Sequence, residues 1–188
     1  MHTIDISKIK TYPLGHRKNL VKLPDILSLD SPLPAFDNPE LPLVAEKIVK
    51  ARSENRAVIW MMGAHVIKSG LSRYIIDLIK RNIITHISGN GAVSIHDFEL
   101  AMIGQTSEDV ALSIEDGTFG MAEETGFHMN QAIRVGASRG DGYGTAIGRY
   151  MEENPQLFPY RDLSVLYNAY INHIPGCIHL TIGADIIH

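Results

Sequence analysis

The sequence is poor in the features that would tie it to several large protein classes. It has one cysteine, Cys177, so no disulfide framework can form within the chain. No apolar run approaches the ~18 residues needed to span a bilayer. The first residues, "MHTIDISKIKTYPLGHRKN", lack the apolar stretch of a secretory signal. There is no surplus of positive charge: 17 Lys and Arg stand against 21 Asp and Glu, a net −4. That balance gives no electrostatic footprint for nucleic acid. These absences read as a cytoplasmic protein with neither a membrane nor a nucleic-acid partner. What is present suits a globular domain: 188 residues, 45% hydrophobic and 20% charged, enough to bury a sizeable core.

Residues 1–40 read as a proline-rich N-terminal arm, punctuated by Pro13, Pro24, Pro32, Pro34 and Pro39, because proline interrupts long regular elements. Residues 41–188 read as the folded domain. "LVAEKIVKARSEN" has Leu43, Val44, Ile48 and Ala51 at helical spacing. "AVIWMM", Ala57–Met62, is a short continuous apolar run, as expected of a strand buried on both faces. "SGLSRYIIDLIKRN" is helical with Ser69 as its cap. "IITHIS" is a second strand. "SIHDFELAMIG" is a helix capped by Ser94, with Asp97 at the capping-box position. Further helices follow, and "CIHLTI" is a third buried strand that carries Cys177 inward. Strands alternating with helices predict an α/β fold: a Rossmann-like parallel sheet with helices on both faces.

In such sheets ligands bind outside the carboxyl ends of the strands. Each strand here runs into a glycine-containing turn: "MMGAHVIKSG", "ISGNGAVS" and "LTIGADIIH". Glycine lets backbone approach a ligand closely, and the helix that follows aims free N–H groups at an anion. Neither G-x-G-x-x-G nor a Walker A motif is present, so tight strand–helix packing explains the same loops equally well. His65 and His96 follow strands, and His188 follows the last one. His96 beside Asp97 and Glu99 suits a base oriented by an acid. The spacing matches no metal signature. Glu124 and His128 share a helix face, for which a solvated surface is the simpler account.

Taken in order, these loops resemble the deoxyhypusine synthase family. In "VIWMMGAHVIKSGLSRYIIDLIKRNIITHISGNGA" the positions Ile67, Ser69, Gly70, Ile75 and Gly91 keep the family's strand, serine-glycine loop, helix, strand and glycine loop. In "SVLYNAYINHIPGCIHLTIGADIIH" the positions Asn172, His173, Ile174, Pro175, Leu180, Thr181 and Gly183 keep its N-H-I-P helix end and following strand. The match covers roughly residues 56–104 and 162–188. The resemblance implies an NAD-binding sheet and a homo-oligomer, a tetramer in that family. It also implies transferase chemistry in which NAD-linked oxidation of an amine or polyamine precedes alkyl transfer. The family's serine-asparagine falls on Ala64 and His65, an acid falls on His96, and the ribose aspartate falls on Ile182 with Asp185 nearest. The family's nucleophilic lysine would lie beyond His188, so a C-terminally incomplete sheet is expected.

The resulting expectations are specific. His96, Asp97 and His65 are the candidate catalytic residues, with His96 as general base. Ser69, Gly70, Gly89, Asn90, Gly91, Gly183 and Asp185 are the candidate NAD-binding residues. No metal ligands are assigned. The alternatives are a metal-dependent enzyme using strand-end histidines, or a non-catalytic binding or assembly module of the same fold.

Overall fold

The computed structural model describes residues 8–32, 34–181 and 185–187. Three strands, β2 (Ile59–Met61), β3 (His86–Asn90) and β5 (Gly176–His179), form a parallel sheet in the order β2-β3-β5. Trp60 is level with Ile87, and Gly89 with Ile178. The helices are α1 (Glu40–Ser53), α2 (His65–Lys68), α3 (Ser72–Lys80), α4 (Gly91–Ile103), α5 (Val110–Asp116), α6 (Glu123–Ser138), α7 (Tyr143–Glu153) and α8 (Val165–Ile171). A second, antiparallel pair joins β1 (Asn19–Lys22) to β4 (Gln105–Glu108).

Two apolar clusters meet at α4. One gathers Ile67, Ile75, Ile79, Ile87, Leu100 and Val165 from α2, α3, β3, α4 and α8, with Ile84 from the segment before β3. The other gathers Ile95, Phe98, Met129, Ile147, Met151 and Leu166 from α4, α6, α7 and α8. The apolar face of α3 recurs every three to four residues, and Ile75, Ile76 and Ile79 are buried, as that spacing demands. The glycines of "GASRGDGYGTAIG" allow close approach. A Cβ at Gly144 would fall 2.3 Å from the Gly176 carbonyl oxygen, and one at Gly148 would fall 2.4 Å from the Tyr170 Cβ.

Four local expectations are corrected. β2 is an edge strand, with Ile59 59% and Met61 78% exposed. The apolar run is therefore not buried on both faces, since Ile59 and Met61 share an exposed one. Cys177 on β5 is exposed, on the face of the strand that it shares with exposed His179. Ser69 ends α2 and does not cap α3. Asn90, not Ser94, caps α4, its side chain accepting from the Val93 N–H at 3.1 Å. The proline-rich segment runs against the domain through β1, whose Val21 sits opposite Thr106. Among the described residues no helix is long and apolar enough to cross a membrane.

Candidate functional site

Helix α4 leaves the carboxyl end of the central strand β3 and carries His96, Asp97 and Glu99. Residues i and i+3 share a helix face, whereas residues two apart point about 200° from each other. His96 and Glu99 therefore belong to one side of α4, and Asp97 to the other.

Asp97 is fully buried and is spent on structure. Its carboxylate accepts from the N–H groups of Val165 at 2.7 Å and Leu166 at 3.1 Å, and from the Ser164 hydroxyl. Ser164 in turn caps α8 by accepting from the Tyr167 N–H at 2.9 Å. Three donors and the positive end of α8 hold the anion. Burial nevertheless pushes the carboxyl up to about 6. The pairing expected between Asp97 and His96 is thus not formed, because Asp97 ties α4 to α8.

Glu99 faces the other way. Its Oε2 accepts from the Arg17 guanidinium at 2.6 Å and from the Thr106 hydroxyl at 2.8 Å, and its Oε1 from the Thr125 hydroxyl at 3.0 Å. Thr106 Oγ1 also meets His96 Nδ1 at 2.7 Å. Arg17 reaches Glu108 at 3.8 Å, and Glu108 accepts from the Tyr12 hydroxyl at 2.9 Å and the Gly120 N–H at 3.0 Å. The Arg17, Glu99 and Glu108 side chains are each 5% exposed or less. Buried ions on this scale persist only when paired and hydrogen-bonded.

This network floors a cavity of about 190 Å³ lined by Arg17, Lys68, Ala92, Ile95, His96, Glu99, Ser107, Glu108, Val110, Phe119, Asp185 and Ile186. Burial lowers the His96 imidazole to about 4, against the opposing charge of Glu99. His96 is therefore neutral at pH 7. Ser107, on the cavity wall, has φ +66°, a left-handed conformation that is costly for a residue other than glycine.

Of the expected cofactor residues, Asp185 lines this cavity, and Gly89, Asn90 and Gly91 lie where β3 gives way to α4. Gly89 is buried and Asn90 exposed. Gly91 opens α4, and a Cβ there would fall 2.3 Å from Asp185 Oδ1. The Asp185 carboxylate thus stands against the N-terminus of a thirteen-residue helix, where an anion is favoured. His65 is the exposed first residue of α2 and is close enough for its charge to act on His96. Ser69 is exposed. Gly70 has φ +75°, and a Cβ there would fall 2.1 Å from the Asp25 carbonyl oxygen, so chain packing accounts for that glycine. Gly183 and His188 lie outside the described residues. Among the described residues no group of three or more His, Cys, Asp or Glu side chains is placed to hold a metal ion. Glu124 and His128 serve neighbours: Glu124 accepts from the Leu14 N–H at 2.6 Å, and His128 meets the Tyr150 hydroxyl at 2.9 Å.

Tyr12, Arg17, Thr106, Ser107 and Glu108 went unpredicted. Tyr12 and Arg17 come from the segment taken as an arm, and nothing in their local sequence links them to a site some 80 residues on. The face-sharing of His96 and Glu99 was a usable signal.

Comparison with known proteins gives the chain's relatives. The family model described as "Arginine dihydrolase ArgZ-like, C-terminal, Rossmann fold" matches residues 43–136, half of the chain. No curated protein sequence matches. Among solved structures, ArgZ, an arginine dihydrolase from the ornithine-ammonia cycle in cyanobacteria, is similar with a TM-score of 0.52 at 20% identity. It is matched over 81% of this chain and 20% of its own. The ternary complex of AgrE with ornithine and NAD+ is similar with a TM-score of 0.51 at 20% identity, over 82% and 21%. A conserved LOR/SDH protein from Methanococcus maripaludis S2 gives 0.51 at 19%, over 84% and 44%. The chain spans about a fifth of the length of the first two and less than half of the third. At such identities the likeness speaks for the fold. The resemblance to deoxyhypusine synthase, and with it the expected transferase and polyamine chemistry, is overturned by the family match and by these neighbours. The residues behind it answer to the fold. His173 has φ +58° after α8, with Pro175 next but one, which is how many helices stop.

Proposed function

We propose, from the premise that this chain belongs to the family of ArgZ-like C-terminal Rossmann-fold domains, that it is an NAD-binding unit with an adjoining cavity for a small amino acid. Gly89, Asn90, Gly91 and His65, at the carboxyl edge of the β2-β3-β5 sheet, would hold the NAD. The observation that carries this reading is the approach at Gly91, where a carboxylate already rests against the start of α4 and a Cβ would not fit. An anionic phosphate suits the same place on electrostatic and steric grounds. The solved complex of AgrE with ornithine and NAD+ supports the choice of cofactor and of ligand class.

The cavity supports an amino-acid ligand because its lining carries three acids, Glu99, Glu108 and Asp185, against two cations, Arg17 and Lys68, a balance that favours a cationic group. When bound, NAD would supply a hydride acceptor. The chain's own residues then orient the substrate, with His96 accepting a hydrogen bond or a proton and the Arg17–Glu99 pair holding the floor rigid. Exposed Leu41, Leu43 and Val44 on α1 and exposed Ile59 and Met61 on β2 support the expectation of a homo-oligomer. Calorimetric titration of NAD into the protein tests the reading: saturable binding, followed by ornithine binding that His96→Gln abolishes while NAD binding persists, is expected. Absence of any NAD binding would remove the proposal.

A further inference from the structure

The direction of the hydrogen bonds around Thr106 fixes the protonation of His96. The Glu99 carboxylate accepts from Arg17, Thr106 and Thr125. Among the described residues each of its partners is a donor, and none takes a proton from it. The single hydroxyl proton of Thr106 is committed to Glu99. Its oxygen can therefore only accept from the imidazole that lies 2.7 Å away. So Nδ1 of His96 carries the proton, and Nε2 keeps its lone pair. Among the described residues Nε2 has no protein hydrogen bond, and the His96 side chain lines the cavity.

We infer that Thr106 is a positioning residue that passes the demand of the buried Arg17–Glu99 pair to His96, locks its Nδ1–H tautomer, and presents Nε2 to the cavity as an acceptor for an N–H or O–H group of the ligand. The assignment of that group to the substrate rests on the function proposed above; the tautomer does not. In free histidine the Nε2–H tautomer is the commoner one, so the opposite form requires such a constraint. Thr106 is fully buried on β4, opposite Val21 of β1. Strand pairing therefore fixes its hydroxyl in place. If His96 takes up a proton at Nε2, the Nδ1 proton stays put and the new charge faces Glu99 through one hydroxyl.

Long-range proton–nitrogen correlation spectra of nitrogen-15-labelled protein, without NAD or ligand, test this, with His96→Gln identifying the ring signals. The wild type is expected to show Nδ1 protonated and Nε2 bare at neutral pH. Thr106→Ser, which keeps the hydroxyl, is expected to retain that pattern. Thr106→Val is expected to lose it, shifting the ring to Nε2–H or to a mixture. Nε2–H in the wild type, or in Thr106→Ser, would overturn the inference without any need for the valine variant to fold. Nδ1–H retained in a folded Thr106→Val would overturn the role of Thr106. Since no ligand enters the measurement, failure to bind NAD would leave its outcome standing.

Discussion

Asp97 and Glu99 are two acids on one helix, both buried, and they lead opposite lives. Asp97 looks toward α8 and satisfies the orphan donors at that helix's N-terminus. Glu99 looks toward the cavity and serves Arg17, Thr106 and, through Thr106, His96. Two residues along a helix turn the side chain by about 200°, and that rotation alone separates a structural acid from a site acid. Proximity in sequence to a histidine says little about function; shared helix face says more.

The most severe test removes Asp97. In Asp97→Ala three buried donors on Ser164, Val165 and Leu166 lose their acceptor, which costs on the order of 4 kcal/mol. Urea unfolding should show that loss as a lower midpoint with α8 undocked. A midpoint near wild type would mean that Asp97 does not tie α4 to α8.

Glu99→Gln should cost less, about 2 kcal/mol, because the amide oxygen still accepts and Glu108 still faces Arg17, although the negative charge at position 99 is lost. The damage should also be local. Hydrogen exchange should speed up in β1 and around Arg17, while α8 keeps its protection. Equal loosening of both regions would erase the distinction between the two acids.

Acid divides the same helix in a subtler way. His96 falls from 6.5 to about 4 in the fold, so the folded state binds fewer protons there. Its contribution is complete above pH 6.5 and is lost as pH falls toward 4. Asp97 rises from 3.8 to about 6, so the folded state holds that proton more tightly. Its contribution grows as pH falls from about 6 to 3.8. The two oppose each other over overlapping windows. Urea midpoints of wild type and His96→Gln, taken at about pH 7 and about pH 4.5, isolate the histidine. Wild type should lose stability relative to the variant on acidification. A constant difference would show that His96 is not desolvated.

The smallest expected effect lies at the strand ends. Asp185→Asn removes a negative charge beside the start of α4, worth roughly 0.3–1 kcal/mol, so NAD affinity should rise a few-fold in calorimetry. A fall in affinity would instead assign this carboxylate to the ribose hydroxyls.

Much of the fold was legible in the sequence. The 3.6-residue spacing of Ile75 and Ile79 marks α3, the "ISGNG" break marks the end of β3, and the alternation of strands and helices yields a Rossmann-like parallel sheet. Strand-end placement of His96 was legible for the same reason. What misled was reading loops as a family signature. A glycine where backbone crowds Asp25, or a left-handed His173 that ends α8, is demanded by turns and packing, and unrelated chains meet those demands with the same residues. The antiparallel β1–β4 pair was invisible, because four short polar-leaning residues, "QTSE", carry no clear alternation.

The sequence by itself determined the α/β class, the strand end from which α4 departs, and the helix face that His96 shares with Glu99, since all three follow from local periodicity and backbone preference. Only the tertiary structure decided that Arg17 and Tyr12 reach that face, that Thr106 stands between Glu99 and His96, and that Asp97 is a cap. Those pairings join residues that lie far apart along the chain. They exist because burying one ion forces the fold to bring it partners, a requirement that no local stretch of sequence displays.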